Sequence, residues 1–315
     1  MAEYEPIEAR AFFRSHSHLP IWEILEEAGI WRQVGMRVKF EFCGSSTVAE
    51  KALFNGSVAF VSGNHITPYA LVARGEPIVC LASPSNSVRN RLVSRQPIAS
   101  LSDLKGRRIG ETTLVDPTGG YHHLRGNHML EVLRAGLALD QVEWVEIAET
   151  MEDFRRMQMG ALQSGKVDAT FLTGSAEEYK KAGYHILNLE PLPMVTGPTL
   201  TTTIGALDTK GRLGERLVKA MVLGIHFVRA HRQETEAILT GLRKRIPEVG
   251  NAGYDSVAKF EPKPYPTPQA VMNAYELCLM KAPETREVSP LALWDLHYLR
   301  GLDASGFISR LYQNG

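Results

Sequence analysis

The 315-residue sequence predicts an α/β fold: two Rossmann-like lobes joined by a two-strand hinge, with a helical C-terminal region. Three observations predict it. One phrase occurs twice, as ALFNGSVAFVSGN at 52–64 and as ALQSGKVDATFLTGS at 161–175. In each, a helix ends in Ala-Leu, the chain turns at Gly56 or Gly165, and a short apolar strand runs into a small polar loop. Glycine after a helix supplies a left-handed C-cap, and a short apolar run beyond it suits a strand buried on both faces of a parallel sheet. Strand and helix patterns alternate around both copies, the signature of parallel sheets with right-handed crossovers. The alternation breaks near 84–95 and at the Pro-rich stretch 190–199. These breaks place one lobe inside the other: lobe 1 is 1–90 and 196–315, and lobe 2 is 91–195. Two crossings form a hinge on which lobes close over a ligand.

The elements follow in order. Ile7 to Phe13 is an apolar strand, SHSHLP a loop, IWEILEEAGI a helix, and MRVKFEF (36–42) an alternating strand. Ser45, Ser46 and Thr47 offer hydroxyls to cap the next helix. After the first repeated phrase come a helix from Thr67 to Arg74 and the buried strand PIVCLAS (77–83). In lobe 2 the pattern gives a strand at 108–110, a helix at 121–136, a strand at 142–147, a helix at 151–163 and the second repeat. Helix 176–183 and strand 184–189 complete it. TLTTTIGAL (199–207) reads as a strand, and 211–310 is mostly helical, with Leu217, Met221, Ile225 and Val228 at core-facing helical spacing.

Composition bounds the partners. Thirty-five basic residues balance thirty-five acidic ones, and no long like-charge block occurs, which argues against nucleic acid as a partner. No apolar run approaches the roughly 18 residues of a membrane span, so no membrane insertion is expected. The N-terminal stretch MAEYEPIEARAFFR lacks a basic-then-apolar leader. It predicts a cytoplasmic protein, or a periplasmic one if a leader has been removed. Three separated cysteines, Cys43, Cys80 and Cys278, fit neither a disulfide framework nor a zinc knuckle.

Several phrases resemble the type II periplasmic solute-binding fold, in the branch of sulfonate and nitrate binding proteins and thiamine-pyrimidine synthases. They are AGIWRQVGMRVKFEF, the two repeated phrases, ARGEPIVCLAS, and IASLSDLKGRRIGET, whose DLKGRRIG is the most specific. The resemblance covers residues 8 to about 210. It implies binding of a small solute and, for an exported member, an ABC permease as partner. Members without a leader include pyrimidine synthases, a dihydroxyphthalate decarboxylase and an aryl sulfinate desulfinase. The chain departs from these enzymes: His16-Ser17-His18 stands where the desulfinase has its cysteine, and VSGNHITPY offers His65 without the lysine of the pyrimidine synthases.

Ligands of open α/β sheets bind at the carboxyl ends of the strands, and the candidate site residues are those expected there. His16, His18 and His65 follow strands of lobe 1, and imidazole titrates near neutral pH and donates to anions. Ser17, Ser45, Ser46 and Asn64 add polar contacts. In lobe 2 the candidates are Thr112, Thr113, Gly119, Gly120, His122, His123, Arg125, Gly174 and Ser175. Gly119-Gly120 before a helix leaves N–H groups open to an anion, and Arg125 offers a bidentate contact. His128, further along that helix, is expected on the surface, and Trp22 in the core. No metal motif and no cofactor motif is present. The expected function is binding of a small anionic organic molecule, aromatic carboxylates and sulfonates among the candidates, in the cleft between the lobes. The alternative is a cytoplasmic lyase, decarboxylase or desulfinase-like enzyme with His65, His16 and His18 as acid–base groups, and with Ser17 as a nucleophile beside two histidines.

Overall fold

The computed structural model describes residues 6–113, 123–149, 151–172, 175–209 and 211–313. The chain divides into two units, Met1–Asn86 with Val195–Gly315, and Ser87–Met194.

The first unit opens with β1 (Ile7–Phe13), α1 (Leu19–Glu27), α2 (Ile30–Gln33) and β2 (Met36–Phe42). There follow α3 (Ser46–Phe54), β3 (Phe60–Ser62), α4 (Pro68–Ala73), β4 (Ile78–Ala82) and β5 (Ser85–Val88). In place of one long first helix, Gly29 in the left-handed region (φ 68°) separates α1 from α2. Strand β1 pairs in parallel with β2 from Ile7↔Met36 to Phe13↔Phe42, and with β3 from Ala11↔Phe60 to Phe13↔Ser62. Phe42, Phe13 and Ser62 therefore lie in one row, and the loops after β2, β1 and β3 leave the sheet at one level.

The second unit comprises β6 (Arg91–Ser94), β7 (Arg108–Thr112), α5 (His123–Arg134), β8 (Glu143–Ala148), α6 (Met151–Gln163), β9 (Ala169–Leu172), α7 (Glu177–Lys181) and β10 (His185–Asn188). Its sheet order is β10-β6-β9-β7-β8. Buried Val93, Phe154, Leu162 and Val167 form one apolar cluster, and Leu92, Ile109, Val132 and Phe171 belong to another. Strand β11 (Leu192–Thr196) carries the chain back and pairs with β5. The stretch expected to be a Pro-rich linker thus contains a strand. Leu192, Met194 and Val195 are buried, and Pro193 is tolerated because two-stranded ribbons leave an edge free of ladder bonds.

Returning to the first unit, the chain forms β12 (Leu200–Thr203), α8 (Ile204–Thr209), α9 (Leu213–Ala230) and α10 (Arg232–Arg245). Then come α11 (Tyr254–Ala258), α12 (Pro268–Lys281), α13 (His297–Ala304) and α14 (Phe307–Gln313). The segment read as one strand at 199–207 is a strand only to Thr203, where a helix begins. The sheet order is β2-β1-β3-β12-β4, with β12 antiparallel to both neighbours. In the second unit β6 is likewise antiparallel to β9 and β10. Each sheet thus departs from the all-parallel expectation by one strand. Both exceptions are the first strand after a crossing, reached without the helical crossover that makes neighbours parallel.

Trp22, Trp31, Phe40 and Phe60 build an aromatic core, with Trp22 stacked 5.4 Å from Phe40. The spacing of Leu217, Met221, Ile225 and Val228 on α9 buries all four. Near the C-terminus, Leu293–Asp295 covers the outer edge of β4. Cys80 N–H donates to Leu293 O at 2.7 Å, and Asp295 N–H donates to Cys80 O at 3.0 Å.

Candidate functional site

At the carboxyl end of β1, Arg14 continues the strand by donating its N–H to Ser62 O at 3.0 Å. Its guanidinium reaches the loop after β2: Nη2 donates to Ser46 Oγ at 2.7 Å and Nη1 to Cys43 O at 3.3 Å. Ser45 caps α3, its Oγ accepting from Val48 N–H at 3.4 Å. A half-buried cation is thereby fixed beside the first turn of a helix, whose N–H dipoles favour negative charge. Arg14 was not among the residues expected at the site. Its only local signal is a basic residue directly after a parallel strand.

Below Arg14 the polar loop after β3 is buried and internally bonded. His18 Nδ1 donates to Ser62 O at 3.2 Å, and Trp22 Nε1 donates to Ser62 Oγ at 2.8 Å. Burial above all, against the bond to Ser62 O and with a smaller push from the Arg14 charge, brings the His18 pKa down to about 4. His18 is therefore neutral at pH 7, and its ring orients the loop through Ser62 O. Gly63 holds φ +88°, and a Cβ there would fall 2.0 Å from His18 Cε1. Asn64 Nδ2 donates to Glu50 Oε1 at 3.1 Å, and Thr201 Oγ1 donates to Asn64 O at 2.5 Å. His65 is buried, its Nδ1 hydrogen-bonded to Thr199 Oγ1 at 3.1 Å.

Solvent reaches a different subset. Ser17 is exposed, His16 and Ser45 are half-buried, and Gly44 and Thr47 are exposed. Ser17 Oγ lies 2.8 Å from Ser15 Oγ, and its N–H donates to Ser15 Oγ. No described hydrogen bond links a histidine to Ser17 Oγ, as activation of a nucleophile requires. His16 stacks on Phe42, ring centroids 4.4 Å apart.

In the second unit Thr112 is buried at the end of β7. Arg125 Nη1 donates to Thr112 O at 2.8 Å and to Glu146 Oε1 at 2.7 Å, which ties this guanidinium to β7 and β8. Thr113 N–H donates to Ala148 O at 3.0 Å. His123 is half-buried at the start of α5. The Ser175 Oγ accepts from Glu177 N–H at 3.3 Å before α7. Gly119, Gly120, His122 and Gly174 lie outside the described residues.

His128, expected on the surface, is fully buried, its Nδ1 hydrogen-bonded to the fully buried Glu111 carboxyl and its ring stacked 4.4 Å from Phe171. Pairing allows a polar ring to leave water. Burial pushes the nearby Glu131 carboxyl above its ordinary range, against the bond it accepts from Asn90 Nδ2. Among the described residues no group of three or more His, Cys, Asp or Glu side chains is placed to hold a metal ion.

The sequence pattern described as NMT1/THI5 like matches residues 24–235, more than half of the chain. The chain belongs to the NMT1/THI5-like family. No curated protein sequence matches this family member. Solved structures similar to it include the periplasmic aliphatic sulphonate binding protein SsuA from Escherichia coli, at 16% identity over 93% of each chain with a TM-score of 0.65. Another is the alkanesulfonate-binding protein SsuA from Xanthomonas axonopodis pv. citri bound to MOPS, 15% identical over 92% of this chain and 97% of that one, TM-score 0.59. A cysteine-to-serine variant of DszB in complex with biphenyl-2-sulfinic acid is 18% identical over 95% and 99%, TM-score 0.60. These likenesses give the NMT1/THI5-like chain the periplasmic-binding-protein fold expected from its phrases. Nothing in their descriptions supports a lyase or decarboxylase role, or a cytoplasmic location.

Proposed function

We propose that this chain is a binding protein of the solute-binding type that takes a small organic anion, of the sulfonate, sulfinate or carboxylate class, at the loops after β1 and β2. The observation that carries the reading is the Arg14 guanidinium, held to Ser46 Oγ and Cys43 O beside the capped start of α3. A planar guanidinium with donors in a fork suits an oxyanion, and charge-assisted bonds are the stronger ones. Ser17 and Ser45 supply hydroxyls within the same loops. Ser46, Asn64, His18 and His65 support the loops from beneath, and His16 borders them. The neighbours described as sulfonate-binding, and the one solved with a sulfinic acid, favour the same ligand class. On the second unit the reading names Thr112, Thr113, His123, Arg125 and Ser175, with Gly119, Gly120, His122 and Gly174, as ligand contacts to be tested by substitution in their own right. An ABC-type import permease and a periplasmic location complete the reading.

The test is titration calorimetry with methanesulfonate, benzenesulfonate and benzoate. At least one binds, and Arg14→Gln weakens that binding about tenfold to a hundredfold while the protein keeps a cooperative melt. If no probe binds, or if Arg14→Gln leaves affinity unchanged, the reading is wrong.

A further inference from the structure

We infer that the exposed ring of Phe42, stacked on His16 and adjoining the residue that Arg14 grips, selects a flat aromatic anion over an alkyl one. The inference rests on the ligand-binding reading above and names the substrate class for it.

Phe42 ends β2 in register with Phe13, yet Phe13 is buried and Phe42 is 52% exposed. A large ring left half in water at a strand end still offers aromatic surface on which a second ring can stack. Its surroundings hold it in a defined pose. The His16 ring lies 4.4 Å away at 19°, and Phe13 braces both rings, 5.5 Å from each. A Cβ on Gly44 would meet Phe42 Cζ at 3.5 Å, so the ring lies along the loop that leads to Ser45. The residue directly after Phe42 is Cys43, whose carbonyl accepts from Arg14. An aromatic plate and a cation are therefore anchored to consecutive residues, the last of β2 and the first of the loop after it.

Rings with a π-quadrupole prefer offset-stacked or edge-on partners, and such pairs gain beyond the area they bury. A saturated chain over Phe42 collects only the area term. An aryl sulfonate, sulfinate or carboxylate presents both features the loop offers, a flat ring and a charged end. A plain alkyl anion presents one of them.

Calorimetry with benzenesulfonate and hexanesulfonate, on the full chain, tests the inference. The wild type prefers benzenesulfonate. Phe42→Ala weakens benzenesulfonate roughly fivefold to tenfold and removes the preference. Phe42→Leu keeps apolar bulk without a ring, and also removes the preference while leaving hexanesulfonate within about twofold. Melting temperatures of both variants verify the fold. Equal wild-type affinities, or equal losses for the two probes in Phe42→Ala, overturn the inference and leave the anion-binding reading standing. So does an unchanged preference, the result expected if the ring serves only to meet another protein. If neither probe binds the wild type, the inference falls, and the anion-binding reading stands only if methanesulfonate or benzoate binds.

Discussion

His18 is held neutral by its position. Burial is the main cause, the Arg14 charge adds to it, and the pKa comes down to about 4 against the bond to Ser62 O. The unfolded chain then binds more protons than the folded one between pH 6.5 and about 4, so stability rises with pH across that window. The contribution, about 3 kcal/mol, is complete above pH 6.5 and lost as the pH falls to about 4. Chemical denaturation of wild type and His18→Gln over this range checks it: the wild-type slope should be steeper, and parallel slopes would refute the assignment. Residue identity let the sequence nominate His16, His18 and His65. It did not say which of them water would reach, because that depends on Ser62 and Thr199, brought up by other strands. Arg14 escaped notice, and His128 was expected on the surface, for a related reason. A charged or polar side chain reads as surface until its tertiary partner, here Ser46 or Glu111, is in place.

The loop after β3 shows how one backbone conformation fixes an element. Gly63 combines a positive φ with a Cβ position already filled by the His18 ring, 2.0 Å away. Gly63→Ala therefore meets two costs, conformational and steric, together roughly 2–4 kcal/mol. Gly75→Ala also has a positive φ but no neighbour within 4 Å, and should cost about 1 kcal/mol. Urea denaturation separates the two; equal losses would mean that His18 moves aside freely. Elements with a clean pattern were legible. Strands β1 and β2 occupy 7–13 and 36–42, where apolar and alternating residues put them, and α6 occupies 151–163. Elements defined by partners were not: β11 needs β5 beside it, and the reversed direction of β12 follows from a crossing that local periodicity does not encode.

At the scale of the molecule, the family and the fold class were legible in phrases spread over residues 8 to about 210, because glycine turns and buried strands are local signals. The last stretch was not, since its role is long-range. Leu293–Asp295 extends the β4 edge, Trp294 Nε1 donates to Tyr69 OH at 2.9 Å, and Leu299 and Ile308 join the main core. Deleting residues 289–315 should abolish a single cooperative melt by calorimetry, because it strips the β4 edge and opens the core. A truncated protein melting within a few degrees of the full chain would show that edge pairing to be dispensable.

The order of β12 carries a consequence for synthesis. It lies between β3 and β4 in the sheet, yet it is translated after every strand from β6 to β10. While residues 87–194 leave the ribosome with their own sheet complete in sequence, the first 86 wait with β3 and β4 unjoined. Apolar nascent surface then persists until β12 has emerged, about two-thirds of the way along the chain, and that interval is when chaperone protection counts most.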